Sequence, residues 1–428
     1  MDYWPRHGNP DRFDWKGQAM RRRLLWGISG LLGLMFFALS FSGPLLLRIL
    51  RADHGFGTDL PALMEGDLTH LMRLYAILFM LGAIALAVVP RFQLAVLSSA
   101  RVKLTAFTLA CSGLLFLLLS RLESEAPWYP LDKILTAPRT LDVFGRRLLL
   151  VWPAQWIYGH IPGISPLRVY YVVQAVVILA TMLVVARWSA RFVGIDNAYL
   201  GQLLLVLFLA PTLTFHNYYD IAIIPIYTLA LLALWDRQYP FFVLLIGLGA
   251  LNHENTLLLV FSAIAISYDR EKPRRWLAVA GAAVAAWLSA RVLIMAAVPM
   301  SSTFHIRVIT NLWELLHDPR AIGTAFIALL PMCLFTLWGW NSAPQVLRRG
   351  AFLVLPLFGV TYLFGKFREP RQFDAFIPLA IGFALSALRA GSRRTGLTHS
   401  GVLAASGAAA PGDDPTQRGE PPFGGLTR

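Results

Sequence analysis

Charged residues are scarce in this chain of 428 residues, at 14% of the total, whereas a soluble globular domain carries about 25%. Apolar residues make up 57%, and the mean hydropathy is +0.58. Because so few charges cannot cover the surface of a large soluble protein, the composition excludes that class. It indicates a polytopic membrane protein instead.

Cysteine is also scarce. The chain has 2 Cys, which excludes a disulfide-rich secreted scaffold. Cys111 and Cys333 both lie in apolar runs, where packing is the simplest role. A Gly-rich phosphate loop, a Cys/His zinc pattern and a Ser-nucleophile motif are missing from the sequence as well, so a cytoplasmic nucleotide-binding enzyme is not supported. We predict no cofactor and leave a divalent metal open.

The charge that is present is mostly positive. Lys and Arg number 38 against 24 Asp and Glu, which gives a net charge of +14. Such a surplus would suggest nucleic acid in a soluble protein. Here most basic residues stand between apolar runs, as charges that face the cytoplasm do. We therefore predict that the protein contacts membrane lipids and does not bind nucleic acid.

About twelve apolar runs reach or approach the roughly 20 residues of a spanning helix. They predict an all-α polytopic membrane protein, with a cytoplasmic tail at 1–23, a transmembrane domain with extracytoplasmic loops at 24–390 and a disordered cytoplasmic tail at 391–428. The runs are 24–47, 71–89, 102–120, 169–186, 200–215, 221–235, 239–251, 256–268, 276–298, 321–340, 351–367 and 373–388.

The basic residues orient these runs. The N-terminal tail is basic, and every second connection between runs is short and carries Arg or Lys, so these parts should face the cytoplasm. The remaining connections hold most of the carboxylates and histidines of the membrane region. We therefore predict a multi-pass protein of a bacterial inner membrane, with both termini in the cytoplasm and the chemically useful side chains outside.

A polar tetrapeptide, Asn252-His253-Glu254-Asn255, separates two runs of about 13 residues, each of which would span about 20 Å. That is less than the roughly 30 Å of the hydrocarbon core. The pair is either a hairpin with its polar tip below the outer surface or one broken helix, and flanking arginines favour the hairpin. The tetrapeptide could simply cap a helix, but ionisable residues at membrane depth mark functional sites by default.

Three further groups lie on the predicted outer side. His216 and Asp220 belong to an aromatic belt with a helix-capping Asp, or Asp220 is a carboxylate at the mouth of a cavity. Asp132 precedes Arg146 and Arg147, which stand in an amphipathic interfacial helix predicted at 141–158. These two arginines could hold lipid headgroups or clamp the phosphate of a lipid-linked substrate.

The third group, Arg368 to Asp374, precedes the last run. Positive charge outside opposes the positive-inside rule, so Arg368 and Arg371 should have an anionic partner. That partner is either Glu369 and Asp374 in the same segment or an anionic substrate, and Arg291 in the outer half of its run could join the same site.

Several of these segments together resemble a family. They are Phe144-Gly145-Arg146-Arg147-Leu148, Tyr218-Tyr219-Asp220, Asn252-His253-Glu254-Asn255-Thr256 and Arg371-Gln372-Phe373-Asp374. Over roughly residues 132 to 388 the chain resembles uncharacterised bacterial integral membrane proteins related to the GT-C superfamily of glycosyltransferases. The resemblance implies an inverting enzyme that takes a sugar from a polyprenyl-phosphate donor at the extracytoplasmic face. It also implies a catalytic carboxylate in the first outer loop, for which Asp132 and Asp53 are both candidates.

Glycosyl transfer needs a carboxylate base opposite the leaving group, and cationic groups to stabilise a departing lipid phosphate. The catalytic candidates are thus Asp132, Asp220 and Glu254, and the predicted substrate-binding residues are Arg146, Arg147, His216, Asn252, His253, Arg368 and Arg371. The competing interpretation is a transporter or lipid-handling protein without chemistry, which would also have polar breaks within its spans. The one-sided placement of the polar residues favours the enzyme.

Overall fold

The computed structural model describes residues 99–124, 147–210, 212, 220–268, 272–297, 307–317, 319–365 and 370–391. All regular structure in these residues is helical. The α-helices are α1 Ala100–Ser124, α2 Leu148–His160, α3 Pro166–Val193, α4 Tyr199–Leu209, α5 Ile223–Trp235, α6 Tyr239–Ala250, α7 Leu259–Ser267, α8 Pro273–Ala297, α9 Val308–His317, α10 Pro319–Gly339, α11 Gln345–Gly350, α12 Val354–Phe364 and α13 Arg371–Gly391. Pro370–Phe376 at the start of α13 and Glu254–Leu258 before α7 are 3-10 helices.

Five segments in this part of the chain are long and apolar enough to cross a membrane, as judged by length and composition: Ala100–Leu119, Arg168–Val193, Pro273–Ala297, Gln345–Phe364 and Arg371–Gly391. The prediction of twelve spans is therefore wrong for the described residues. Runs such as 221–235 and 239–251 form helices of only 13 and 12 residues, about 20 Å long. The predicted runs 24–47 and 71–89, the N-terminal tail and residues 392–428 of the C-terminal tail lie outside the described residues, and sidedness stays a prediction.

Helix α3 shows how local signals set the helix ends. Ser165 is the N-cap, and its hydroxyl accepts a hydrogen bond from the Arg168 backbone N–H. Pro166 follows at the first helical position, where its missing N–H costs nothing. The helix ends at Gly194, whose φ of 78° lies in the region that favours glycine. The predicted run at 169–186 becomes a 28-residue helix by these signals.

The core is built around α5 and α13. Helix α5 buries ten of its side chains, and 83% of the apolar window of α13 is buried, compared with 22% for α1. The indole of Trp188 on α3 donates a hydrogen bond to the Pro378 carbonyl of α13, at 2.8 Å. Because α5 and α13 lie inside the helical bundle, Asp220 just before α5 and Asp374 near the start of α13 are buried in the protein interior.

Helices α6 and α7 form a hairpin, one of the two arrangements that the sequence allowed. Tyr239 at the start of α6 lies under the Arg275 guanidinium near the start of α8. Leu251, just after α6, packs against the small cluster that contains Ile294 near the end of α8, so α6 and α8 run in the same direction. Tyr268, just after α7, contacts Trp276, which returns the chain to the level where α6 began.

The helix predicted at 141–158 is not amphipathic where it is described, and its place at the membrane interface stays a prediction. Helix α2 covers Leu148–His160, and its sequence is apolar on all sides apart from a few polar residues. One side, including Leu150 and Ala154, packs on Val169 and Val173 of α3, while Trp152 and Trp156 are exposed. Of the two arginines that made the segment look amphipathic, the structure describes Arg147, whose side chain is directed into the protein.

Candidate functional site

Asp220 lies in the turn that leads into α5, at the N-terminal end of that helix. Its backbone carbonyl accepts a hydrogen bond from the Ile223 N–H at 2.8 Å, which fixes the turn, and its side chain is only 6% exposed. A buried carboxylate is stable only if it is paired and hydrogen-bonded. The residues that pair with Asp220 come from three distant parts of the chain.

Arg371 and Arg147 both face this carboxylate. Arg371 Nη1 donates a hydrogen bond to Asp220 Oδ2 at 2.6 Å, and Arg147 Nη2 lies 3.8 Å from Asp220 Oδ1. Burial alone would raise the pKa of Asp220, but the charges of Arg371 and Arg147 overcome that effect and hold this pKa below its ordinary value. Asp220 is therefore an anion that orients two arginines.

Arg147 points into the protein and not towards lipid headgroups. It is the N-cap of α2, and its Nη1 donates a hydrogen bond of 2.6 Å to the Asn252 carbonyl. The Leu149 N–H reaches the neighbouring carbonyl of Leu251. The first turn of α2 thus holds the end of α6, which explains why an arginine at the start of an apolar helix is 6% exposed.

The tip of the α6–α7 hairpin is tightly turned. The His253 N–H bonds to the Gly249 carbonyl at 2.7 Å, and the Thr256 hydroxyl bonds to the His253 carbonyl at 2.8 Å. A Cβ on Gly249 would meet the Thr256 Cγ2 at 2.5 Å and the Ile226 Cγ2 at 2.9 Å. Glycine at 249 is thus required for the tip to fold back onto α5.

His253 lies between the two halves of the site. Its Nδ1 accepts a hydrogen bond from the Asn255 N–H at 3.2 Å, which assigns the ring proton to Nε2, and Nε2 lies 3.8 Å from Asp220 Oδ1. Burial lowers the pKa of His253 to about 4, and the nearby Arg147 charge acts in the same direction. The imidazole is therefore neutral at physiological pH.

Glu254 occupies the outer edge of the same site. Its Oε2 lies 3.9 Å from His253 Nδ1 and 3.8 Å from Arg291 Nη1, and its backbone carbonyl accepts a hydrogen bond from the Trp287 indole at 3.0 Å. With a side chain that is 43% exposed, Glu254 is far more accessible than Asp220. Asp220 and Glu254 thus flank one imidazole ring, the first inside the protein and the second at its surface.

Asp374 is a further acidic residue of this region, which the sequence suggested only as an ion-pair partner. It is fully buried, one helical turn after Arg371. The Thr212 hydroxyl is within hydrogen-bonding reach of this carboxylate and also lies 2.9 Å from the Leu209 carbonyl. Arg371, for which the sequence offered Asp374 as a possible ion-pair partner, instead donates its hydrogen bond to Asp220 in the turn before α5.

The structure therefore brings together six of the ten predicted site residues: Arg147, Asp220, Asn252, His253, Glu254 and Arg371. Asp132, Arg146, His216 and Arg368 lie outside the described residues, as does Asp53. Trp287 was not predicted as a site residue. It stands four residues before Arg291 on α8, a spacing that places both on one helix face, so the position of Arg291 could have suggested it.

We call Asp220, Arg147, Arg371 and His253 the Asp220 cluster. It can hold fixed positive charge in a nearly dry environment, and Glu254 places an accessible carboxylate beside it. Within the described ranges, no group of three or more His, Cys, Asp or Glu side chains could hold a metal ion. Fixed cations beside an accessible carboxylate can stabilise an anionic group and accept a proton.

Comparison with known protein families, with curated proteins and with solved structures gave no match. The resemblance to the GT-C superfamily accordingly stays a prediction from the sequence segments that carry it. The described residues provide an all-helical architecture, several helices of the kind found in membrane-embedded proteins, and the geometry of the Asp220 cluster.

Proposed function

We propose that this protein is a GT-C-like membrane glycosyltransferase that transfers a sugar from a polyprenyl-phosphate donor to an acceptor at the extracytoplasmic face of a bacterial inner membrane. The observation that carries the proposal is the juxtaposition of two arginines held by Asp220, Arg147 buried and Arg371 partly buried, with the accessible carboxylate of Glu254. The proposal includes cytoplasmic termini, which follow from the charge pattern of the connections.

The roles follow from burial. Asp220 is bound to Arg371 and is hardly exposed, so it serves to position the arginines and not as the base. Arg147 and Arg371, with Arg146 and Arg368, bind the donor phosphate and stabilise its negative charge as the sugar leaves. Glu254 is the described carboxylate best placed to take the proton of the acceptor hydroxyl. Asp132 stays a candidate for that role.

In this reaction the acceptor oxygen forms a bond to the anomeric carbon as the bond from that carbon to the phosphate oxygen breaks. The acceptor proton passes to the carboxylate, and the bonding electrons leave with polyprenyl phosphate. Since phosphate is a good leaving group, the site needs cations there and no general acid. His253, neutral because its pKa is about 4, fits a positioning role.

A transporter or lipid-handling protein is the second candidate. The observation that favours it is Asp374, a fully buried carboxylate in a helix that could cross a membrane. Such residues often belong to substrate or proton pathways in transporters. A transporter would move its substrate without changing it, so the chemical state of the lipid-linked sugar separates the two candidates.

The test compares host cells that lack the protein with cells that carry the wild type, Glu254→Gln or Asp236→Asn. Asp236 pairs with Arg191 at the other end of α5, so its variant is a matched carboxylate control. We expect a polyprenyl-phosphate sugar to accumulate, and one sugar to be missing from surface glycan, in cells without the protein and with Glu254→Gln. Mass spectrometry of both pools measures this, with membrane abundance measured in parallel.

An unchanged pool of lipid-linked sugars in cells without the protein would contradict the enzymatic proposal. Accumulation of an intact solute or lipid on one side of the membrane, with the glycan chemically unchanged, would support the transporter. Sidedness is tested by labelling Glu254→Cys in a background with both native cysteines replaced, since this position is exposed. Labelling only from the cytoplasm would contradict the proposed outer location.

A further inference from the structure

Helix α9, Val308–His317, has its polarity inverted relative to a helix on the surface of a soluble protein. Its outward side chains are apolar, and Ile309 is 83% and Leu316 66% exposed. Leu312 and Trp313 lie on the same side and are also exposed. Its inward side chains Asn311 and Glu314 are polar and buried. A soluble protein places these two faces the other way round.

The inward face is fixed by hydrogen bonds to the end of α12. The Asn311 amide donates to the carbonyls of Tyr362 at 2.6 Å and Gly365 at 2.9 Å, and the Arg307 N–H donates to the Leu363 carbonyl at 2.8 Å. Carbonyls at the C-terminus of a helix lack partners within the helix, so α9 supplies them. The apolar outward face therefore results from a defined orientation of α9.

A second observation concerns the end of the helix. The Trp313 ring stacks on the His317 ring at 5.3 Å, and His317 Nδ1 lies 3.1 Å from the Trp313 carbonyl. Trp156 and His160 at the end of α2 repeat the arrangement, with ring centroids 4.6 Å apart and a contact of 2.8 Å. All four side chains are on exposed parts of the molecule.

Helices α2 and α9 both belong to the end of the bundle that carries the Asp220 cluster. Arg147 caps α2, and α9 contacts the end of α12 at Gly365, five residues before Pro370 and the segment of Arg371. Five residues span at most about 18 Å. Both helices that carry an exposed Trp–His pair are therefore anchored near this end of the molecule, and Trp is enriched where a bilayer meets water.

We propose that α9 lies at the membrane–water interface with Ile309, Leu312, Trp313 and Leu316 in contact with bilayer lipid. Ten residues extend about 15 Å, which is too short to cross about 30 Å of hydrocarbon. An amphipathic helix with this face lies in the interface plane. Lipid is favoured over a second copy of the chain because α2, a separate helix, repeats the same Trp–His arrangement. The inference does not depend on glycosyl transfer.

The test attaches a nitroxide to single cysteines that replace Ile309, Leu312 or Leu316, in the full chain with Cys111→Ala and Cys333→Ala. The protein is reconstituted in vesicles of phosphatidylethanolamine and phosphatidylglycerol. Collision rates with oxygen, which concentrates in lipid, and with a water-soluble nickel chelate are compared. Val176→Cys, exposed on the spanning helix α3, is the lipid control, and Asp196→Cys, in an exposed turn, is the water control.

We expect oxygen-to-nickel collision ratios at the three α9 positions that are several-fold higher than at 196 and lower than at 176, as for a shallow position in lipid. Ratios like that at 196 would overturn the proposal, because the face would then contact water. Protection from both reagents would also overturn it and would indicate a second copy or another protein. If one variant fails to accumulate, the other two positions report on the same face.

Discussion

The two ends of α5 carry acidic residues in opposite environments. At the N-terminal end, Asp220 has a side chain 6% exposed and faces Arg371 and Arg147. At the C-terminal end, Asp236 is the C-cap and pairs with Arg191, with side chains 24% and 30% exposed. One helix thus offers a buried and a partly exposed ion pair for comparison.

The helix dipole and the solvent both separate the two ends. A negative charge is favoured near a helix N-terminus and disfavoured near a C-terminus, which helps Asp220 and opposes Asp236. Water screens the exposed pair, whereas removal of one partner of a buried pair leaves an uncompensated charge. We therefore expect large effects on stability and function at the first end and small effects on stability at the second.

The largest effect is expected for Asp220→Asn. The variant leaves the buried Arg147 and the partly buried Arg371 against a neutral amide, which should lower the free energy of unfolding by about 3–5 kcal/mol. We expect strongly reduced membrane abundance and a lower midpoint of thermal unfolding in detergent. Asp220→Glu keeps the charge and should retain more protein. Wild-type abundance of Asp220→Asn would show that the cluster does not stabilise the fold.

Arg371 gives the next largest effect, on activity as well as stability. Arg371→Lys keeps the charge but loses the planar fork that matches phosphate, so we expect reduced glycan product at near-normal abundance. Arg371→Ala should reduce product further, since a charge-assisted contact is worth about 1.5–3 kcal/mol, or roughly ten- to a hundred-fold in rate.

The control for this comparison is abundance measured beside product. If Arg371 serves only to neutralise Asp220, the alanine variant should be degraded and the lysine variant should be active. A folded, fully active Arg371→Ala protein would remove Arg371 from the proposed site.

The sequence predicted the helical class and most of the described site, but not its pairing. Asp220 and Arg371 were both candidates, yet they are 151 positions apart, and no local pattern links them. The direction of Arg147 was open between lipid and substrate, because an apolar helix follows it. Only the packing of α2 against the end of α6 turns it inward.

Hydropathy also overestimated the number of spans. A run such as 221–235 is equally apolar whether protein or lipid surrounds it, and α5 is surrounded by protein. The amphipathic helix was expected at 141–158, where charges stand near apolar residues, whereas α9 shows the clearer separation of two faces. Its inward residues Asn311 and Glu314 could be recognised as buried only once α12 was placed beside them.

The third prediction concerns pH. The pKa of His253 falls from its ordinary 6.5 to about 4 in the folded protein, so the unfolded chain takes up the proton first as pH falls. Stability should therefore decrease as pH drops from about 6.5 to about 4, by on the order of 2 kcal/mol between pH 7 and pH 5. The lowered pKa of Asp220 acts only in stronger acid, below about 4, where its stabilising contribution is lost.

Thermal unfolding in detergent at pH 7 and pH 5 measures this decrease. His253→Asn keeps an acceptor for the Asn255 N–H and should flatten the dependence, whereas His160→Gln, at an exposed position, should leave it unchanged. An equal decrease in wild type and His253→Asn would mean that another group is responsible.

Near the N-terminal end of α5, Glu254→Gln should reduce function much more than stability. Because this side chain is 43% exposed and its nearest cationic nitrogen, on Arg291, is 3.8 Å away, we expect a stability change of at most about 1 kcal/mol. Glycan product should nevertheless be lost. Normal abundance with normal product would exclude Glu254 as the base and leave Asp132 as the catalytic candidate.

The smallest effect is expected at the C-terminal end of α5, for Asp236→Asn and Arg191→Gln. Exposed ion pairs contribute about 0.2–1 kcal/mol, and the unfavourable position of Asp236 at a helix C-terminus offsets part of that gain. Unfolding midpoints of both variants and of the double variant, at low and high salt, give the coupling energy of the pair. We expect a small coupling that salt weakens further. A coupling energy as large as that between Asp220 and Arg371 would mean that burial does not distinguish the two ion pairs. The charge of the Asp220 cluster would then no longer support a functional role for that cluster.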